Sequence, residues 1–221
     1  MALNKTRQGK QLERKSGRRA SYERILIVSE GSKTEPNYFG EIRAFYRLHT
    51  ANVEVRPSDL GTAPLQVVQY ARQLFLEGDR HRGIQARAFD QVYAVFDRDD
   101  HESYFNALQL AESLDQKYIN DEKQPVLFRA IPSVPSFELW LLLHFEEILS
   151  PIDRDEVMRR LKQYVPQYEK GATGIFAITR NQLDQACTRA EKLGTRFSGY
   201  TAPEPYTAVN ALVKLLTGLR T

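Results

Sequence analysis

Two uninterrupted apolar runs, Ile25 to Val28 and Val92 to Phe96, stand out against the helical spacing that fills the interval between them. Runs of this kind, with no polar alternation, are the mark of strands buried on both faces in a parallel sheet. Each run ends in acid: the first continues Ser29-Glu30-Gly31-Ser32-Lys33-Thr34-Glu35, the second Asp97-Arg98-Asp99-Asp100-His101-Glu102. Between them, Pro36 is acceptable in a first helical turn, and Tyr38, Phe39, Ile42, Phe45 and Tyr46 repeat with helical period behind a Thr34 cap. A short strand is expected near Val53 to Val55. Thr62-Ala63-Pro64 then opens a second helix whose apolar face is Val67, Tyr70, Ala71 and Leu74.

After the Gln91 to Phe96 strand comes a helix bearing Tyr104, Leu108, Ala111, Leu114 and Tyr118. Pro125 to Ala130 reads as a fourth strand. It leads through Pro132-Ser133-Val134-Pro135-Ser136-Phe137-Glu138 into an apolar helix from Leu139 to Leu149. Past Ser150 only helices are expected. Asp153 with Glu156 forms one capping box, Thr179 with Gln182 a second, and Thr207 caps a last helix bearing Val209, Leu212, Val213 and Leu216. Strands alternating with helices define an α/β fold, a mainly parallel sheet with right-handed crossovers flanked by helices. The expected organisation is a flexible arm over residues 1–20, an α/β core over 21–150, and a helical extension over 151–221 packed on that core.

Charge changes this picture at one end. Residues 1–24 carry eight basic side chains against two acidic ones, a net of +6, so a chain of net +3 leaves −3 for the rest. A basic arm on a nearly neutral body suits contact with a polyanion, and equally a solubilising tail. No apolar run approaches the roughly 18 residues of a membrane span, and the basic N-terminus lacks the apolar stretch of a signal peptide. The cytoplasm is therefore the expected compartment. Cys187 is the single cysteine, which excludes an internal disulfide and a thiolate-rich zinc site; it shares an apolar stripe with Leu183, Ala186, Ala190 and Leu193 and is expected to be an inert core thiol.

Candidate chemistry gathers where the two apolar runs end. Ligands of open α/β sheets sit at the carboxyl ends of the strands. Glu30, Glu35, Asp97, Asp99 and Asp100 crowded on one such edge would repel unless cations were bound, and all-oxygen donors without cysteine suit Mg²⁺ or Mn²⁺. Ions of this type can stabilise both oxygens of a phosphodiester displacement. Ser136 and Glu138 allow two readings: a helix cap with a first-turn acid, or a phosphate contact and a further metal ligand. Lys33 could neutralise transition-state charge or stand as an exposed loop lysine. His101 could contact phosphate or tune Asp99, or be a solvated residue at a helix start. His144, on the apolar helix, is expected to be a core histidine, and Arg98 to ion-pair on the face away from its aspartate neighbours. Arg80 and Arg82 in the loop after the second helix, with Arg18 and Arg19 in the arm, could track a nucleic-acid backbone.

These residues resemble known proteins. Glu30-Gly31 after one strand and Asp97-Arg98-Asp99 after a later one look like the Toprim signature. More closely, Glu30-Gly31-Ser32-Lys33-Thr34-Glu35, Phe96-Asp97-Arg98-Asp99 and Pro135-Ser136-Phe137-Glu138-Leu139-Trp140-Leu141-Leu142-Leu143-His144-Phe145 resemble the RloB-like family, over roughly residues 22–220. That resemblance implies a Toprim core with metal-dependent phosphodiester chemistry. It also implies an association with phage defence and abortive infection, often beside an ABC/AAA-type ATPase. Glu30 matches the Toprim glutamate, a proton-handling or metal-contacting group. Asp97 and Asp99 match the metal-binding pair, and Glu35 the second acid of OLD-type Toprim nucleases. The expectation is an Mg²⁺- or Mn²⁺-dependent nuclease acting on DNA or RNA, with tRNA a plausible substrate and oligomerisation left open. The alternative is a non-catalytic effector that binds nucleic acid or an ATPase through the same scaffold.

Overall fold

A computed structural model describes residues 23–49, 52–98, 103–196 and 205–219. The two apolar runs are strands β1 (Ile25–Ser29) and β3 (Gln91–Asp97), and they lie side by side in parallel. Strand β2 (Val53–Pro57) flanks β1, and β4 (Leu127–Val134) flanks β3, both in parallel. A two-residue strand, β5 (Tyr206–Thr207), pairs antiparallel with β4 and completes the order β2-β1-β3-β4-β5. The expectation that strands end at Ser150 is thus corrected. Two residues are too few to produce any periodicity, and β5 is held by a Ser133–Thr207 hydroxyl contact of 2.9 Å and by its place on the open edge of β4.

Because alternate residues of a strand face opposite sides, β1 feeds two cores. Ile25 and Ile27 face helix α1 (Thr34–Phe45), while Leu26 and Val28 face α2 (Pro64–Glu77) and α3 (Tyr104–Leu114). On the α1 side the same apolar cluster takes in α4 (Phe137–Leu142), α5 (Arg154–Tyr164), α6 (Ile175–Thr179), α7 (Leu183–Arg196) and α8 (Val209–Gly218). The described part of 151–221 therefore has no apolar core of its own. Its helices close the α1 face of the sheet.

Three local differences from the expected elements have physical causes. β4 runs on to Val134 because Ser133 pairs with Asp97 and its carbonyl accepts the Arg98 N–H at 2.9 Å. The helix expected to reach Leu149 stops at Leu142, where bonds tighten to His144 N–H on Leu141 and Phe145 N–H on Leu142, and Arg189 donates to the Leu143 carbonyl at 2.7 Å. Thr34 and Thr179 do not cap: Lys33 takes the N-cap of α1, and Thr179 is buried with its hydroxyl donating back to the Ile175 carbonyl at 2.9 Å. Asp153 does cap α5, accepting from Glu156 N–H at 2.8 Å, and the Thr207 hydroxyl accepts from Val209 N–H at 3.3 Å. Among the described residues no helix is long and apolar enough to cross a membrane.

Candidate carboxylate site

The parallel register of β1 and β3 sets Ser29 beside Val95, so both chains leave the sheet at the same edge. There Glu30 N–H donates to the Val95 carbonyl at 2.9 Å, and Asp97 N–H donates to Glu30 Oε2, also at 2.9 Å. One acidic strand end thus holds the other. Glu35, in the first turn of α1, folds back over the loop: a Cβ added to Gly31 would lie 2.1 Å from Glu35 Oε2. Only glycine leaves room for that carboxylate. From the third direction β4 delivers Ser136 and Glu138 at the start of α4, both buried.

Burial and mutual charge govern these acids. Glu35 is pushed up to about 7, chiefly by desolvation, then by the charges of Glu30 and Glu138, against stabilising backbone N–H groups of Glu35 and Gly31. Asp97 is raised well above the usual carboxylate range, again by desolvation first, then by Glu35, Glu30 and Glu138. Glu30 and Glu138 thus raise both Glu35 and Asp97, and Glu35 raises Asp97 in turn.

Two members of the site have no counterpart in the sequence reading. Arg154, the first residue of α5, donates from Nη2 to Asp97 Oδ2 at 3.0 Å. Tyr168 donates its hydroxyl to Glu138 Oε1 at 3.1 Å, while Ser136 donates to Oε2 of the same carboxylate at 2.7 Å. Burial and the Glu138 charge keep the Tyr168 phenol protonated far above its ordinary range. Its loop is pinned to the turn that carries Glu35. Gly171 N–H donates to Thr34 Oγ1 at 2.9 Å, Asn37 donates to the Gly171 carbonyl at 3.0 Å, and Glu41 accepts from Gly174 and Phe176 N–H groups at 2.5 and 2.9 Å. Neither Arg154 nor Tyr168 carries a local sequence signal; each reaches the site through tertiary packing.

The other candidates distribute as follows. Ser136 is fully enclosed and its hydroxyl donates to Glu138 Oε2. Lys33 is exposed at the N-cap of α1, with its side-chain carbons against Gly171. Arg80 is exposed in the loop beyond α2, and Arg82 there is ion-paired with Asp59 and Asp79 and donates to the Tyr70 hydroxyl at 2.9 Å. Asp99, Asp100, His101, Arg18 and Arg19 lie outside the described residues, as does the 1–20 arm. The Arg98 guanidinium lies 5.6 Å from the ring centroids of both Tyr104 and Phe105. Cys187 is buried and its thiol is pushed up to about 11 by desolvation, an inert core position.

Among the described residues, no three of His, Cys, Asp or Glu converge as a ready metal-holding group. The donor chemistry nonetheless fits a hard divalent cation. Every candidate donor is a carboxylate oxygen, and the charges on Asp97 and Glu35 are destabilised first by burial and then by their acidic neighbours. Bound positive charge would relieve that strain.

His144 is the core histidine its stripe implied. Its Nδ1 lies 3.0 and 3.2 Å from the Trp140 and Leu141 carbonyls, and desolvation lowers it to about 4. A histidine lowered on folding stabilises the protein above its unfolded value of 6.5, and that contribution is lost as pH falls toward 4. Between pH 7 and pH 5 the loss is about 2 kcal/mol. In His144→Phe the denaturant-derived stability should fall by that much less over the same interval. An unchanged difference between pH 7 and pH 5 would refute the assignment.

Fold and site together define an α/β protein with a carboxylate-lined edge on a mainly parallel sheet. The chain matches the RloB-like protein family over residues 25–216, and it belongs to that family. No curated protein and no solved structure matches it.

Proposed function

We propose that the protein is an Mg²⁺- or Mn²⁺-dependent nuclease with a Toprim-type site that hydrolyses phosphodiester bonds of nucleic acid. The observation that carries this reading is the hydrogen bond from Asp97 N–H to Glu30 Oε2, with buried Glu35 and Glu138 charge-coupled to the same edge. A binding module for a polyanion gains nothing from concentrating buried carboxylates. Asp97, Glu35 and Glu138 are the described residues that would hold metal, joined by Asp99. When bound, the metal would lower the pKa of water and stabilise charge on the attacking and leaving oxygens. Glu30, which accepts from Asp97 N–H, would take a proton from attacking water or contact the metal. Ser136 and Tyr168 fix the Glu138 carboxylate through both oxygens, so its orientation is set before any ligand arrives. Lys33 and Arg80, which are exposed, would contact the nucleic-acid backbone, and the sequence offers Arg18 and Arg19, outside the described residues, for the same role.

The substrate is nucleic acid, DNA or RNA, with tRNA among the candidates to be tried. The cell-level reading is anti-phage defence in the cytoplasm alongside an ABC/AAA-type ATPase, and it rests on family resemblance. Total RNA and plasmid DNA incubated with the purified chain should be cleaved with Mn²⁺, spared in EDTA, and spared by Asp97→Ala. Equal cleavage by Asp97→Ala would remove the site assignment. No cleavage, together with no metal-dependent rise in melting temperature, would favour the non-catalytic effector instead.

A further inference from the structure

The guanidinium on Asp97 is a positive charge placed where the proposed nuclease site would hold a metal. Glu35, Glu30 and Glu138 all burden the Asp97 charge, and Arg154 is the group that relieves it. Its Nη2 reaches Asp97 Oδ2 at 3.0 Å, and about a third of the Arg154 side chain remains exposed against a tenth of Asp97. The guanidinium therefore lies at the mouth of the site, with solvent on one side and the buried carboxylate on the other.

Its backbone is anchored independently of that contact. Arg154 opens α5, which Asp153 caps and which Val157 and Leu161 tie into the core. A side chain rooted on a fixed helix can leave Asp97 without disturbing the fold. Lysine and arginine carry long, rotamer-rich side chains for which such a move is ordinary.

We infer that Arg154 is the resident cation of the metal-free carboxylate site, that it gives up Asp97 when a divalent ion binds, and that it sets the metal concentration the site requires. The inference rests on the proposed metal site. It adds a regulatory consequence: the extension beyond residue 150 supplies the charge that keeps the acidic edge folded without metal. At low metal the ion pair competes with cations for Asp97, and rising metal replaces the single charge of the guanidinium there with the double charge of the ion.

Mn²⁺ titrated calorimetrically into the full chain, without nucleic acid, reads this without reference to cleavage. Arg154→Gln keeps a polar, helix-compatible side chain but removes the charge, and should tighten Mn²⁺ binding about tenfold, the scale expected for deleting one nearby charge in a partly solvated site. Arg154→Lys keeps the charge and should bind as the wild type does. Binding by Arg154→Gln that equals or falls below wild type overturns the inference and leaves the nuclease reading standing. Absence of Mn²⁺ binding in the wild type and in every variant overturns both. Binding by Arg154→Gln alone supports the inference in its strongest form. Should Arg154→Gln not fold, the wild-type chain decides: the isotope-labelled guanidinium nitrogen signal, assigned by its loss in Arg154→Lys, shifts as Mg²⁺ is added. A signal unmoved at saturating Mg²⁺ overturns the inference.

Discussion

Glu35→Gln is expected to make the metal-free protein more stable at pH 8, by about 3 kcal/mol at most, while abolishing any stabilisation by Mn²⁺. The sign follows from the direction of the shift. Glu35 rises on folding from an ordinary 4.5 to about 7, so the native state holds its proton more tightly than the unfolded chain. Stability linked to Glu35 is full below the unfolded value and is lost as pH climbs through the folded one. At pH 8 the wild type holds a buried charge among Glu30, Asp97 and Glu138, whereas glutamine holds none. The amide oxygen can still accept from the backbone N–H groups of Gly31 and Glu35 that face the carboxylate. Urea denaturation in EDTA at pH 5 and pH 8 checks this: the change in stability from pH 5 to pH 8 should be more favourable in Glu35→Gln than in the wild type, by up to about 3 kcal/mol. A variant less stable than wild type at pH 8 would mean that the carboxylate is structurally favourable there. His144 acts with the opposite sign over the acid half of this range, so the two slopes partly cancel in the wild type and separate only in the single variants.

A residue that destabilises the fold where it sits is most readily explained by function. Much of this placement was legible in the sequence. β1 and β3 are buried on both faces, so their apolar runs are continuous, and Glu30 and Asp97 mark where each run leaves the sheet. Glu35 was legible in type, though its return to the edge depends on Gly31, whose missing side chain is visible as a motif but not as a geometry. His144 and Cys187 follow from helical stripes.

Arg154 and Tyr168 were not legible, because Arg154 meets Asp97 across 57 positions and the loop that carries Tyr168 is pinned to the start of α1 across 137, in the Gly171 to Thr34 bond. The length of α4 was hidden for a similar reason. Apolar spacing continues through Phe145 to Leu149, while the helix end is decided by Arg189, which takes the Leu143 carbonyl from α7. Ser136 looked equally suited to capping and to phosphate, whereas its enclosed hydroxyl makes no bond to the helix backbone and donates to Glu138 instead. Local pattern reports most of the burial, though Phe45 and Leu149, both on expected apolar stripes, are exposed. Which distant polar group meets which is settled by topology.

Gly31→Ala isolates the site from the fold more cleanly than any loss of a carboxylate. The added Cβ would meet Glu35 Oε2 at 2.1 Å and Oε1 at 3.0 Å, so the carboxylate must leave its position. The obstructing atoms are the far end of a flexible side chain, and turning that end away costs little. Gly78 makes the contrast: its Cβ would meet the Ile84 backbone carbonyl at 2.5 Å, and its φ of +70° already disfavours a side chain. Gly78→Ala should therefore destabilise the protein without touching the carboxylates. Gly31→Ala should keep a melting temperature near that of wild type and lose about a hundredfold or more in metal-dependent cleavage, the scale set by ångström misplacement of a reacting group. It should also relax the rise of Glu35, because a displaced carboxylate escapes both desolvation and the charges of Glu30 and Glu138. Cleavage rates and melting curves for the two alanine variants, measured in parallel with Mn²⁺, give opposite patterns if Gly31 exists to admit Glu35. Full activity in Gly31→Ala would show that Glu35 need not occupy the edge, and with it would go the step from a generic acidic strand end to a nuclease site.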